Sequence, residues 1–277
     1  EISECLVGSE MCIRDRRYDM FRGLYTAWTG MANEQKRLDV ISNNMANSNT
    51  VGYKDEKVAS QAFDQVLGIK IRDGSQAYHN ECIGSLSLGV KIGETYTDYS
   101  QGSVRQTGGT YDLALSGSGF FTVSVTDKAG EVHTRYTRDG RFHLTKDGLL
   151  VDADGNAVQG QNGNITIDPS SKNVSISATG QIMADGELVD TLNIVDFEDY
   201  DYLKKYGDTM YEPVDGATTK DAEGEILQGY TEQSNVNVVR EMVDMITITR
   251  AYEAGQKVIR SYDSMLDKSV NQVGALK

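Results

Sequence analysis

The sequence predicts an α+β fold: long N- and C-terminal helices pairing as a coiled coil, with a central antiparallel β-rich domain between them in the chain. Three observations predict it. Apolar residues recur at helical spacing near both ends. Asp-Gly and Asn-Gly pairs punctuate short alternating runs in the middle. Charge follows the same partition. Of a net charge of −14, residues 107–230 hold most, with 9 basic and 21 acidic side chains. Residues 20–106 carry nine of each sign and residues 231–277 six of each, so both ends are neutral. Neutral ends can pack against copies of themselves without strong repulsion, and an acidic middle argues against nucleic-acid binding.

Residues 1–19 read as a non-native leader, with a native leader as the alternative, and are set aside, with Met20 as the expected start. They show no periodicity, their apolar runs are too short for a signal peptide, and acids stand where a basic segment belongs. Two of the three cysteines, Cys5 and Cys12, lie there. Cys82 is then alone, which excludes an intramolecular disulfide framework. No run approaches eighteen consecutive apolar residues, so no membrane insertion is expected.

Residues 20–54 form the expected N-terminal helix and its closing turn. Phe21, Leu24, Trp28, Met31, Gln35, Leu38, Ser42 and Met45 step by three and four, and six of the eight are apolar. Asn43, Asn44, Asn47 and Asn49, then Gly52, end the helix by turn chemistry, Gly52 at an unusual backbone angle. Residues 55–106 form a connecting region, partly extended: Ala62 to Ile71 suits a short helix or strand, and Leu86–Ile92 alternates like one strand.

Residues 107–230 are the central β-rich domain. Asp139-Gly140, Asp147-Gly148, Asp154-Gly155 and Asn162-Gly163 recur at spacings of eight, seven and eight, and Asp185-Gly186 continues the pattern. Such pairs between alternating runs signal hairpins. Phe120–Val125 and Thr191–Val195 are further strands, and 214–230 reads as a polar connection. Residues 231–277 form the C-terminal helix, capped by Ser234 or Asn235. Val238, Met242, Met245, Thr249, Tyr252, Gln256, Ile259, Asp263, Leu266, Val270 and Val273 form its main seam, flanked by Ile248, Ala251, Val258, Tyr262 and Met265.

Burying a Leu, Met or Val contributes about 1.5–3 kcal/mol, against about 1–2 kcal/mol for fixing each residue's backbone. Two isolated helices with patchy seams are marginal on those terms, so neighbouring subunits are expected to supply the missing burial. The candidate assembly interface is therefore Phe21, Leu24, Trp28, Met31 and Leu38, the turn residues Asn43, Asn44 and Asn47, and Val238, Met242, Met245, Tyr252, Ile259 and Leu266. For the asparagines, plain helix termination is the alternative role.

Catalytic and metal chemistry find little support. There is no G-x-S-x-G, H-E-x-x-H or P-loop, and no clear base for a nucleophile among His79, His133 and His143. Asp152-Ala153-Asp154-Gly155-Asn156 begins like a calcium loop but has Ala157 at position six and Gly163 at position twelve. The acidic run Asp196, Glu198, Asp199 and Asp201 reads as a solvated face. A secreted hydrolase or a surface adhesion module would account for the β-rich middle, but not for helical seams at both extremes.

Three motifs carry a family resemblance. Arg37–Lys54 (RLDVISNNMANSNTVGYK) resembles the N-terminal signature of the flagellar rod and hook proteins. Ser234–Ile246 (SNVNVVREMVDMI) with Arg250–Ala254 (RAYEA) resembles the C-terminal one. Asp112–Leu115, Gly119–Phe121 and Tyr136–Gly140 are similar to the motifs of the family's central domain. The resemblance runs from Met20 to about Gln272. It implies that the terminal helices pair into an inner tube with the β-domain outside, and that subunits stack helically into a rod or hook transmitting torque. It implies export by the flagellar type III apparatus beyond the cytoplasmic membrane, with copies of the chain and other flagellar axial proteins of the rod and hook as partners. No enzymatic activity and no cofactor are implied. Leu86–Ile92 and Ser100–Val104 are most like the distal rod members, with proximal rod or hook-type members as alternatives.

Overall fold

A computed structural model describes residues 2–70, 81–87, 89–127, 130–171 and 173–273, and the side chains of 23–65, 87, 89–127, 130–171 and 173–272. The chain divides into two compact units. One comprises Asn43–Glu56 and Thr97–Val238; the other comprises Glu1–Ser42, Lys57–Tyr96 and Val239–Lys277. The described elements are mostly antiparallel strands between two long helices, α1 (Ile2–Ala46) and α2 (Val238–Lys268). Helical structure thus starts at Ile2, upstream of the expected start at Met20.

The β unit is organised around the strand Phe120–Thr126. It pairs with Val132–Thr137 along one edge, and with Ala157–Gly160 and Ile194–Phe197 along the other. Its side chains alternate between two cores, as the two-residue strand period requires. Phe121 and Val123 join Leu113, Leu115, Phe142, Leu150, Val158, Ile165, Ile167, Ile182 and Ile226. Phe120 points to the other side, into an aromatic cluster with Phe197, Leu203 and Tyr211, flanked by Tyr99, Tyr136 and Tyr200. Edge-to-face contacts dominate there: Tyr136 meets Phe197 at 4.9 Å and 88°, the arrangement the ring quadrupole favours.

The turn pairs act by two different means. Asp185 (φ +49°) and Gly186 (φ +92°) form the two-residue loop joining Ala184 to Glu187, both left-handed as a type I′ turn demands. The Asp139-Gly140 pair predicts another such turn, but Gly140 is not left-handed. A Cβ there would lie 1.7 Å from the Leu113 carbonyl oxygen, so the glycine serves close approach of two backbones.

Three further expectations are corrected. The run Leu86–Ile92 is not one strand but the end of Glu81–Leu86 and the start of Val90–Asp98. Gly89 interrupts it at φ +136°, with room for no side chain beside Thr29. Residues 214–230 are more than a polar connection. They contain the strands Thr219–Asp221 and Glu225–Gln228, the second pairing with Leu113–Ser116 so that Ile226 fills the core. Finally, α2 starts at Val238, later than capping by Ser234 or Asn235 would place it. The Asn235 amide is committed elsewhere, as described below.

In the helical unit, Ser60 donates to the Asn33 side chain at 3.1 Å, and Tyr25 lies 6.4 Å from Phe63. The helices adjoin at two glycines: a Cβ on Gly23 would meet the Tyr262 hydroxyl at 2.3 Å, and one on Gly255 would meet Met31 at 2.7 Å. Ile41 and Ile248 are the buried apolar helix residues among the described side chains.

Candidate assembly site

The three sequence motifs converge on one buried polar centre. Lys54 ends the N-terminal motif, Arg138 belongs to the central one, and Glu232 lies just ahead of the C-terminal one. The Glu232 carboxylate accepts from Lys54 Nζ at 2.6 Å and from Arg138 Nη1 at 3.2 Å. Oε1 also accepts from the Gly102 backbone N–H at 2.9 Å, and the Glu232 carbonyl accepts from Gly52 N–H at 2.9 Å. Lys54, Arg138 and Glu232 are at most 4% exposed. Two further donors reach carbonyls, Lys54 Nζ that of Ser100 at 2.8 Å and Arg138 Nη2 that of Gly117 at 2.9 Å, while Arg138 Nε is buried without a partner. Burial pulls the Lys54 ammonium below its ordinary lysine value, outweighing the opposing pull of Glu232.

Local backbone explains how Lys54 arrives there. Gly52 adopts φ +71°, and a Cβ on it would strike the Arg138–Asp139 backbone at 2.4 Å. The turn is held by the asparagines. Asn44 is buried; its amide donates to Asp55 Oδ1 at 2.6 Å and to the Glu56 carbonyl at 2.8 Å, and it accepts from the Tyr53 hydroxyl at 3.0 Å. Tyr53 also donates to Asn43 Oδ1 at 3.1 Å, and Asn47 donates to the same oxygen at 2.9 Å. On the C-terminal side, Asn235 accepts from Asp55 N–H at 2.8 Å and donates to the Asp98 carbonyl at 2.8 Å.

Of the expected interface residues, Asn43, Asn44 and Asn47 are brought together at this turn. Asn43 is exposed and Asn47 half-buried. On α1, Leu24, Met31 and Leu38 are half-buried and Trp28 is exposed, while the side chain of Phe21 lies outside the described residues. On α2, Val238, Met245, Ile259 and Leu266 are half-buried, and Met242 and Tyr252 are exposed. Exposure adds Val239, Val243 and Ile246, which the seam omits, beside Met242, which it contains. Val239 (72%), Met242 (48%), Val243 (58%) and Ile246 (55%) make one apolar stripe over the first turns of α2. Their i, i+3, i+4, i+7 spacing is a second helical face, legible in the sequence but rotated from the one chosen. Glu232 carried no comparable signal, because nothing local marks a carboxylate for burial.

In the acidic run, Glu198, Asp199 and Asp201 are exposed as expected, and the correction falls on Asp196 alone. Asp196 is not solvated but fully buried, accepting from the Tyr200 hydroxyl at 2.8 Å and pairing with Lys220 at 3.1 Å. His79 and the side chains of Cys5, Cys12 and Cys82 lie outside the described residues. Among the described residues, no group of three or more His, Cys, Asp or Glu is placed to hold a metal ion, and no helix is long and apolar enough to cross a membrane.

Fold and site together define a class: a two-ended structural subunit whose β-domain grips the roots of its terminal helices. The comparisons make this specific. Residues 24–54 match the family model for flagella basal body rod proteins, residues 114–184 that of the flagellar hook protein FlgE/F/G D1 domain, and residues 227–273 that of the flagellar basal body rod FlgEFG protein C-terminal region. The chain is 34% identical to the flagellar basal-body rod protein FlgG of Bacillus subtilis, over 91% of this chain and 99% of that protein. It is 36% identical to FlgG of Caulobacter vibrioides (88% and 97% covered) and 32% identical to FlgF of the same species (93% and 100%). The chain belongs to the flagellar basal-body rod protein family. It is a structural rod subunit of the flagellar basal body, and its relatives are structural proteins, not enzymes.

Proposed function

We propose that copies of this chain stack around a common axis through α1 and α2, paired as a coiled coil, and so build a rod that transmits torque from motor to hook. The observation that carries this reading is the exposed stripe Val239, Met242, Val243 and Ile246. Four apolar side chains on consecutive turns of one helix gain little by facing water, and burying each against a neighbour is worth about 1.5–3 kcal/mol. Leu24, Trp28, Met31 and Leu38 on α1, with Met245, Tyr252, Ile259 and Leu266 on α2, extend the same interface, and Phe21 and Val238 lie at its margins. Asn43 and Asn47 add polar contacts to adjacent subunits, while Asn44 is committed within its own chain.

Other flagellar axial proteins of the rod and hook are the heterologous partners. The chain reaches them through the flagellar type III export apparatus, beyond the cytoplasmic membrane. Within the family we favour the distal rod, on the likeness of Leu86–Ile92 and Ser100–Val104 to its members. The test is assembly of purified chain, followed by sedimentation, with Met242→Asp and Ile246→Asp as variants. Polymers from the parent and none from folded variants are expected; variants that polymerise normally would sink the proposal. Immunolabelling of purified basal bodies then separates distal from proximal position.

A further inference from the structure

We propose that Glu232 couples the two ends of the chain, so that neither helix root stays docked on the β-domain when the other is released. The contacts are distributed in a way that forces this. The N-terminal root supplies one cation, Lys54; the β-domain supplies another, Arg138; the C-terminal root supplies the carboxylate that both require. Lys54 and Glu232 stand 178 positions apart in sequence, so no local chain geometry holds them together.

Both side chains are 1% exposed. A buried charge that loses its partner is costly, whereas a buried pair is close to neutral against an apolar pair of the same shape. If the C-terminal root departs, Lys54 and Arg138 are left as two like charges out of water, and Gly52 N–H loses its acceptor, the Glu232 carbonyl. If the N-terminal root departs, Glu232 loses its shortest contact. The asparagine bridge points the same way, because Asn235 accepts from Asp55 N–H and so binds one root to the other a second time. The centre therefore works as a cooperative latch: both roots are docked or both are free. This holds in a single subunit and does not depend on assembly.

Hydrogen exchange on the full-length chain tests it, comparing residues 50–56, residues 230–236 and the core strand Phe120–Thr126. In Lys54→Met, a change in the N-terminal root, protection of the distant 230–236 amides is expected to fall at least about tenfold. In Glu232→Gln, which keeps side-chain shape, protection of 50–56 falls likewise. The core strand keeps its protection in both. The double variant falls by much less than the product of the single effects, since the second change removes a partner already lost. The proposal is overturned if each variant loosens only its own segment, if the core strand loses protection to the same degree, or if the two effects multiply.

Discussion

The β unit and the helical unit solve the burial problem in opposite ways. The β unit closes its own cores: Leu113, Leu115, Phe121, Val123, Leu150, Val158, Ile165 and Ile182 are completely shielded from water. The helices bury Ile41 and Ile248 among their described apolar side chains, while Trp28, Val239, Met242, Val243, Ile246, Val258, Met265 and Val270 stay exposed. The β unit is a finished object, and the helices leave apolar surface open to water. The difference teaches which part of the chain closes its own interior and which leaves a surface that the proposed assembly would cover.

The largest effect should come from the finished core. Phe121→Ala removes a ring that meets Phe142 edge-to-face at 5.3 Å, and is expected to cost about 3–5 kcal/mol in denaturant unfolding. A loss under about 1 kcal/mol would break the comparison, because the core would not be holding the unit. Gly140→Ala should cost about 1–3 kcal/mol in the same measurement, since its Cβ must displace the Leu113 backbone.

Alkaline pH offers a milder probe. Burial pushes the phenols of Tyr99 and Tyr200 up to about 12. A phenol whose folded pKa exceeds its unfolded value of 10 stabilises the fold fully below pH 10, and that contribution is lost as pH rises toward 12. Tyr211 shifts in the same direction, whereas Lys54, depressed by burial, gains stability with rising pH. The tyrosines outnumber the lysine, so the thermal midpoint should fall between pH 10 and 12, with the cluster's phenolate absorbance, read as the difference between the parent and Tyr99→Phe or Tyr200→Phe, appearing together with unfolding. A difference signal well before unfolding would show a solvated aromatic cluster.

The smallest effect on the isolated subunit should come from the unfinished surface. Val243→Ser, on a side chain 58% exposed, should change unfolding free energy by no more than about 0.5 kcal/mol. A loss of several kcal/mol would mean that α2 already uses this face within its own subunit.

Periodicity made the fold class legible. The Asp-Gly pairs at 147–148, 154–155 and 185–186 do mark turns with left-handed glycines, and the helical seams lie on real helices. What escaped was whatever depended on distant partners. Gly140 carries the same dipeptide signal as Gly148, yet its role is set by Leu113, twenty-seven positions earlier. Ile226 sits in a polar stretch, and only pairing with Leu113–Ser116 draws it inside. The candidate interface was legible as a pair of helices but not as a face, because which side of α2 remains open is decided by its packing. The buried ion centre draws on two motifs and on Glu232, just outside the third, and none of them announces it.

The alternation along Phe120–Thr126 has one more consequence. Neighbouring side chains on this strand feed different interiors, Phe120 the aromatic one and Phe121 the aliphatic one. Adding or removing a single residue here would exchange the two sets, sending rings into aliphatic space and leaving Thr122 and Ser124 where valine belongs. The length of this segment is therefore frozen by parity.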